Sequence, residues 1–278
     1  MKVKDNVVFK TVGETELELM LFLPKEPKLK KAPLMVYIHG GGWGGGDRYK
    51  VLRPGIIDVI RGLNEAGIVC ASVEYRLADG GDALVVDSVA DCKDAVRYLV
   101  QHAADYGIDT ERVGTFGSSA GGHLTLMTAL GDPANFPLDP TLTVPPVEVD
   151  CVASYYPLVS FVDPELKKGG NFERPQRLVP LIGGLLEEKT EVAHMLSPIE
   201  LLKEDSPPIF LAHGDKDTVL HVRNAEAMRD AAEAKGVPVE CIISEGAGHG
   251  FRGEGIDPSM DEISQRTIDF FLKYLLPE

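Results

Sequence analysis

Three polar side chains far apart in the chain, Ser119, Asp217 and His249, are of the types that nucleophilic catalysis requires. Ser119 lies in Gly117-Ser118-Ser119-Ala120-Gly121-Gly122-His123, after the apolar run Val113-Gly114-Thr115-Phe116 and before the helix-competent residues 124–130. A Gly-x-Ser-x-Gly between strand and helix makes a sharp turn that pushes the serine hydroxyl outward. Glycines flank it because the two backbones cross so closely that a Cβ would clash. Centred on Ser118, the flanks would be Phe116 and Ala120, which cannot make that turn, so Ser119 is the candidate nucleophile. With 29 glycines in the chain the pattern can arise by chance. Its weight depends on partners appearing in the right order.

A serine hydroxyl needs a base to take its proton, and the base needs an orienting carboxylate. After a strand-to-helix elbow these should follow in the order acid, then histidine, on loops after strands. The apolar run 208–212 ends in His213-Gly214-Asp215-Lys216-Asp217, and the run 237–244 ends in Glu245-Gly246-Ala247-Gly248-His249-Gly250-Phe251. Asp215 follows the Gly214 turn directly and can bond local backbone amides. Asp217 lies farther along the loop with more freedom to reach a histidine, and is preferred as the acid. Of seven histidines only His249 combines a strand end, flanking glycines and the right order. His102 reads as a solvated helix end, and His194 and His221 as polar positions without a visible partner. His123 should pack the helix after Ser119, His213 should brace its turn, and His39 should orient the glycine loop it opens. An oxyanion formed on acyl transfer needs preset backbone donors. Ala120, directly after the serine, supplies one amide; Gly41 and Gly42 in His39-Gly40-Gly41-Gly42-Trp43 are the expected others.

Positioning these groups takes a sheet whose strands end at one rim. Residues 33–38, 68–75, 112–116, 150–156, 208–212 and 237–244 read as strands, several of them continuously apolar, as in strands buried on both faces. Helical periodicity covers 53–66, 86–103, 223–235 and 261–275, and residues 7–12 and 15–23 alternate as an antiparallel edge pair. This rhythm predicts an α/β fold, a mostly parallel sheet with helices on both faces. Residues 158–202 break the rhythm and read as a small lid-like insertion after the sixth strand. One domain over 1–278 is expected.

Composition narrows the classes. The net charge of −15 argues against nucleic acid or an anionic membrane as partner. No run approaches a membrane span, and residues 1–10 lack the apolar core of a leader, so a cytoplasmic location is expected. Cys70, Cys92, Cys151 and Cys241 form no metal or redox motif. A dinucleotide fingerprint, Gly40-x-Gly42-x-x-Gly45 with Glu74, is formally present. Its acidic residue comes 29 positions after Gly45 (74 − 45) instead of roughly 20, and it leaves Ser119, Asp217 and His249 unexplained.

With these residues in place the chain resembles the α/β-hydrolase superfamily, and within it the bacterial acetyl xylan or feruloyl esterases and the hormone-sensitive-lipase-like carboxylesterases. The resemblance rests on His39-Gly40-Gly41-Gly42-Trp43 with Gly46-Asp47-Arg48, on Glu74-Tyr75-Arg76-Leu77, on the Ser119 elbow, on His213 to Asp217 and on Gly248-His249-Gly250-Phe251. Ser118 stands where the hormone-sensitive-lipase group usually carries Asp, and no N-terminal helical cap is visible, which favours the carbohydrate-esterase side. The resemblance implies a serine carboxylesterase needing no cofactor and no metal. Its substrate would be a small-molecule ester of acetyl, short acyl or feruloyl type, an acylated oligosaccharide among the candidates. Tyr155, Tyr156, Phe161 and Phe172 would wall the pocket or pack the core. An amide-bond hydrolase of the same fold (an arylformamidase or small peptidase) and a non-catalytic ligand receptor are the alternatives. Oligomeric state is not legible.

Overall fold

Four runs, Ala32–Ile38 (β3), Val69–Val73 (β4), Cys151–Tyr155 (β6) and Ile209–Gly214 (β7), are buried at every position. Such strands need cover on both faces. The computed structural model describes residues 1–26 and 28–276, and in it these strands form the centre of one eight-stranded sheet. Lys2–Val12 (β1), Thr15–Leu23 (β2), Ile108–Ser118 (β5) and Val239–Ser244 (β8) complete it. The order is β1-β2-β4-β3-β5-β6-β7-β8. β1 and β2 pair antiparallel, as do β2 and β4, and every remaining pair is parallel.

Side-chain alternation along β3 shows how the two faces are covered. Met35 and Tyr37 pack with the helices Ile56–Ala66 and Met260–Leu275 on one face. Leu34, Val36 and Ile38 pack with Val85–Gln101 and Ala120–Leu130 on the other, where Arg223–Ala234 covers β7. β1 is half exposed, as the edge position predicted for it requires. Under the β1 edge, Lys10 pairs with Asp91 at 2.7 Å and Asp94 at 2.6 Å, joining the edge strand to the Val85–Gln101 helix.

β3 lies between β4 and β5, so the chain order reverses there. Open α/β sheets bind ligands in the crevice at such a reversal, beyond the carboxyl ends of the strands. The glycine loop after β3, the elbow after β5 and the loops after β7 and β8 all leave the sheet at that end. Residues 158–202 form short helices and turns, among them Pro164–Lys167, Val179–Ile182 and Thr190–Met195, as the broken rhythm predicted.

Boundaries differ where packing overrides local preference. The elbow helix begins at Ala120 rather than near 124, because contact with β3 and β6 holds Gly121 and Gly122 helical against their low propensity. β5 begins four residues earlier than read, at Ile108. Cys70, Cys92 and Cys151 are buried free thiols, and Cys241 is half buried and free. Among the described residues no helix is long and apolar enough to cross a membrane.

Candidate active site

The elbow is built by steric exclusion. A Cβ on Gly121 would stand 2.0 Å from the Ile38 carbonyl oxygen, and one on Gly117 would stand 2.1 Å from that of Gly121. Only glycine permits the crossing. Between them Ser119 takes φ 59° and ψ −122°, a strained conformation for a side-chain-bearing residue. Its amide donates to the Tyr155 carbonyl at 2.9 Å, which fixes the turn against β6.

Into this point come the loops after β7 and β8. His249 Nε2 lies 3.1 Å from Ser119 Oγ, and its Nδ1 lies 2.7 Å from Asp217 Oδ2. Asp217 is buried and anchored from several sides. Its Oδ1 accepts from the amides of Val219 at 2.8 Å and Leu220 at 3.0 Å. His213 Nε2 stands 3.3 Å from its Oδ2 and 2.7 Å from the Leu220 carbonyl. Burial alone would raise the Asp217 pKa, but the bonds from His213, His249 and the Leu220 amide prevail and hold it well below the usual carboxylate range. It is therefore a fixed negative charge facing His249. Asp215 turns away, but it does not bond the local backbone amides expected of its place after the turn: it accepts from the Gly246 amide of the β8 loop at 2.7 Å, 31 positions on, and from Lys216 Nζ at 2.7 Å.

The glycine loop after β3 completes the rim. Gly41 takes φ 146°, and a Cβ there would collide with the Gly45 carbonyl oxygen at 1.7 Å. Among the described residues the amides of Gly41 and Gly42 make no backbone hydrogen bond. Ala120 is the first residue of the elbow helix, where amides have no intrahelical acceptor. Several side chains hold the loop in shape. Lys50 Nζ donates to the Gly40 carbonyl at 2.7 Å, and Tyr75 Oη donates to that of His39 at 2.8 Å. Arg48 binds Asp5 at 2.9 Å and Glu18 at 2.7 Å, and also Glu74. Glu74 is thus committed to an ion pair, and a short 3₁₀ turn, Arg48–Leu52, stands where a dinucleotide site would need a helix.

The remaining histidines fall mostly where they were expected. His39 is buried and stacks on Tyr75 at 4.3 Å, and burial lowers its pKa to about 4. His123, fully buried on the elbow helix, is lowered to about 4 for the same reason. His102 caps a helix beside Asp105 at 3.0 Å. His194 does find a partner, Glu200 at 2.7 Å, which lies six positions on across a turn. His213 does more than brace its turn, since it reaches Asp217 as well.

A cavity of about 1080 Å³ opens over Ser119 and His249. Tyr155, Tyr156 and Phe172 line it, one of the two roles the sequence left open for them. Phe161 does not; it is buried against Trp43 at 5.7 Å and His123 at 5.2 Å. Two contributors went unread, Tyr37, bonded to Ser118 at 3.1 Å, and Lys50. The continuous apolar run 33–38 puts Tyr37 in the core, and no spacing rule links Lys50 to Gly40.

A serine raised on a glycine elbow at the reversal point of a mostly parallel sheet defines the α/β-hydrolase class. The BD-FAE family profile matches residues 19–231, and the chain belongs to that family. Among curated relatives, the esterase LipC of Mycobacterium tuberculosis is 28% identical over 238 residues, 82% of this chain and 55% of its own length. The probable carboxylic ester hydrolase LipM of the same organism is 26% identical over 204 residues, 72% of this chain and 44% of its own. The chain spans about half the length of the curated relatives it matches. Among solved structures, a propionate-bound thermophilic esterase of Thermogutta terrifontis superposes with a TM-score of 0.78 at 26% identity, over all of this chain and 96% of that one.

Proposed function

We propose that the protein hydrolyses carboxylic esters through Ser119, His249 and Asp217 by way of an acyl-enzyme. The observation that carries the reading is the unbroken relay from Asp217 Oδ2 through the His249 ring to Ser119 Oγ, with steps of 2.7 and 3.1 Å. His249 Nε2 takes the serine proton as Oγ attacks the ester carbonyl, while Asp217 holds the ring with Nδ1–H toward itself and stabilises the imidazolium. The amides of Gly41, Gly42 and Ala120 receive the oxyanion, and each such donor contributes about 10²–10³ in rate. His249 then returns the proton to the departing alcohol. Water, deprotonated by the same ring, attacks the acyl-enzyme and releases the acid. No step calls on a metal or cofactor.

The substrate reading is a small or carbohydrate-linked ester with an acetyl or other short acyl group. The propionate in the Thermogutta esterase supports the short acyl side. The cavity is far larger than an acetyl group needs and has room for a sugar-sized or feruloyl-sized partner. Four free cysteines, three of them buried, support a reducing, cytoplasmic setting.

The test is a turnover panel of 4-nitrophenyl esters from acetyl to octanoyl, with acetylated xylo-oligosaccharide, methyl ferulate, and anilide and formamide analogues. Esters should be turned over and amides at most weakly. Ser119→Ala should abolish turnover while Ser118→Ala keeps most of it. Faster turnover of the amides would favour the amidase alternative.

A further inference from the structure

Arginine in this chain normally finds an acid. With 43 acidic residues against 28 basic ones, that is what composition predicts. Eight of the twelve arginines have a carboxylate within 3.4 Å among the described residues. Arg53, Arg174, Arg177 and Arg252 have none, and three of these four line the cavity over Ser119. A surface accident would scatter unpaired arginines around the molecule. Here three of the four stand at one opening.

The cavity is also asymmetric. On the side of the insertion, Arg177 shares the wall with Asp79, the one carboxylate among the lining residues. From the segments after β3 and β8 come Lys50, Arg53 and Arg252, with no acid among the lining residues of those segments. Lys50 is engaged with the Gly40 carbonyl. Arg53 and Arg252 both act on the half-buried Tyr156 phenol: burial raises its pKa, and the Ser118 hydroxyl and these two charges pull against that. Arg53 and Arg252 line the same cavity as Tyr156, whose ring packs on His249 at 4.7 Å. Two exposed guanidinium forks at a cavity wall suit a carboxylate or phosphate, whose paired oxygens they can grip. In a chain of net charge −15, local positive potential is needed to draw any anion to the site.

We propose that the ester substrate carries an anionic group, a carboxylate or a phosphate, held by Arg53 and Arg252 where the segments after β3 and β8 line the cavity. The inference rests on the esterase reading and adds the charge of the substrate to it. Neutral acetyl or acyl esters still react at Ser119, but without this anchor.

Matched esters with and without an anionic group test it. On the acyl side, 4-nitrophenyl hemiglutarate is compared with 4-nitrophenyl valerate. On the alcohol side, 4-acetoxybenzoate and 4-acetoxyphenyl phosphate are each compared with 4-acetoxybenzamide. In at least one comparison kcat/KM should favour the anion by about tenfold or more, as a charge-assisted bidentate contact allows. That ratio should fall about tenfold in the Arg53→Gln/Arg252→Gln double variant, fall less in the Lys/Lys double variant, and weaken as salt is added. Arg266→Gln, at a residue whose guanidinium pairs with Glu240 and which is not among those lining the cavity, should leave it unchanged. A preference for the neutral ester in every comparison overturns the proposal, as does an anionic preference that survives the Gln/Gln variant. Neutral turnover without anionic preference sinks this inference alone. Absence of any ester turnover sinks the esterase reading and the inference with it.

Discussion

The Trp43 indole donates from Nε1 to Nδ1 of His123 at 3.1 Å, and His123 Nε2 lies 2.8 Å from the Leu196 carbonyl. An indole can only donate, so Nδ1 accepts and the proton of His123 is on Nε2. One buried ring thereby ties the glycine loop, the elbow helix and the insertion together. Trp43→Phe keeps an aromatic ring but orphans the His123 acceptor, which costs about 1–3 kcal/mol. A lowered urea midpoint with an unchanged m-value is the expected outcome. A variant as stable as the parent contradicts this role.

Acid should destabilise the fold well before carboxylates titrate. Burial lowers His39 and His123 to about 4 in the folded chain, against about 6.5 when unfolded. The unfolded chain therefore takes up protons first as pH falls, so stability is whole above about pH 6.5 and drains away down to about pH 4. Each ring removes about 2 kcal/mol between pH 7.5 and 5. Asp217, whose folded pKa is depressed, adds a further loss below its unfolded value. Urea unfolding at the two pH values checks this, and equal midpoints contradict it.

Lys50→Met keeps the methylene stem and removes the bond to the Gly40 carbonyl. If that clamp presets the Gly41 and Gly42 amides, kcat should fall about tenfold, as partial loss of an oxyanion donor does. KM should hardly change. Stability should drop by no more than about 1 kcal/mol, since a half-exposed bond contributes little. Steady-state kinetics beside a melting curve separates the two effects; an unchanged kcat refutes the clamp.

The two aspartates of the β7 loop make opposite predictions. Asp217→Asn leaves the shape but cannot hold the His249 tautomer, and kcat should drop by about 10⁴. Asp215→Asn touches only the Gly246 amide and Lys216. Its kcat should stay within about threefold, because exposed contacts of this kind are worth little. Comparable losses in the two variants would mean that the acid is misassigned.

The parts legible in the sequence were those written in short, local spacing. Gly117 and Gly121 mark the elbow because a backbone crossing tolerates nothing else, and the chain order of Asp217 and His249 follows from strands that end at one rim. Contacts between elements left no such mark. Lys50 reaches Gly40 across ten residues of loop, and His213 reaches Asp217 only because the β7 loop folds back over it. Phe161 and Phe172 are alike in the sequence, yet the path of the insertion buries one and leaves the other on the cavity. That Arg53 and Arg252 have no acid beside them among the described residues depends on where the acids are not, which is a property of the folded surface.

Covalent labelling tests the central claim most directly. A fluorophosphonate ester has the tetrahedral shape of the attacked carbonyl, so intact-mass measurement after incubation reports which hydroxyl is activated. One adduct per chain is expected, mapped to Ser119, lost in Ser119→Ala and kept in Ser118→Ala. No adduct on the folded protein, or one that survives Ser119→Ala, would contradict it.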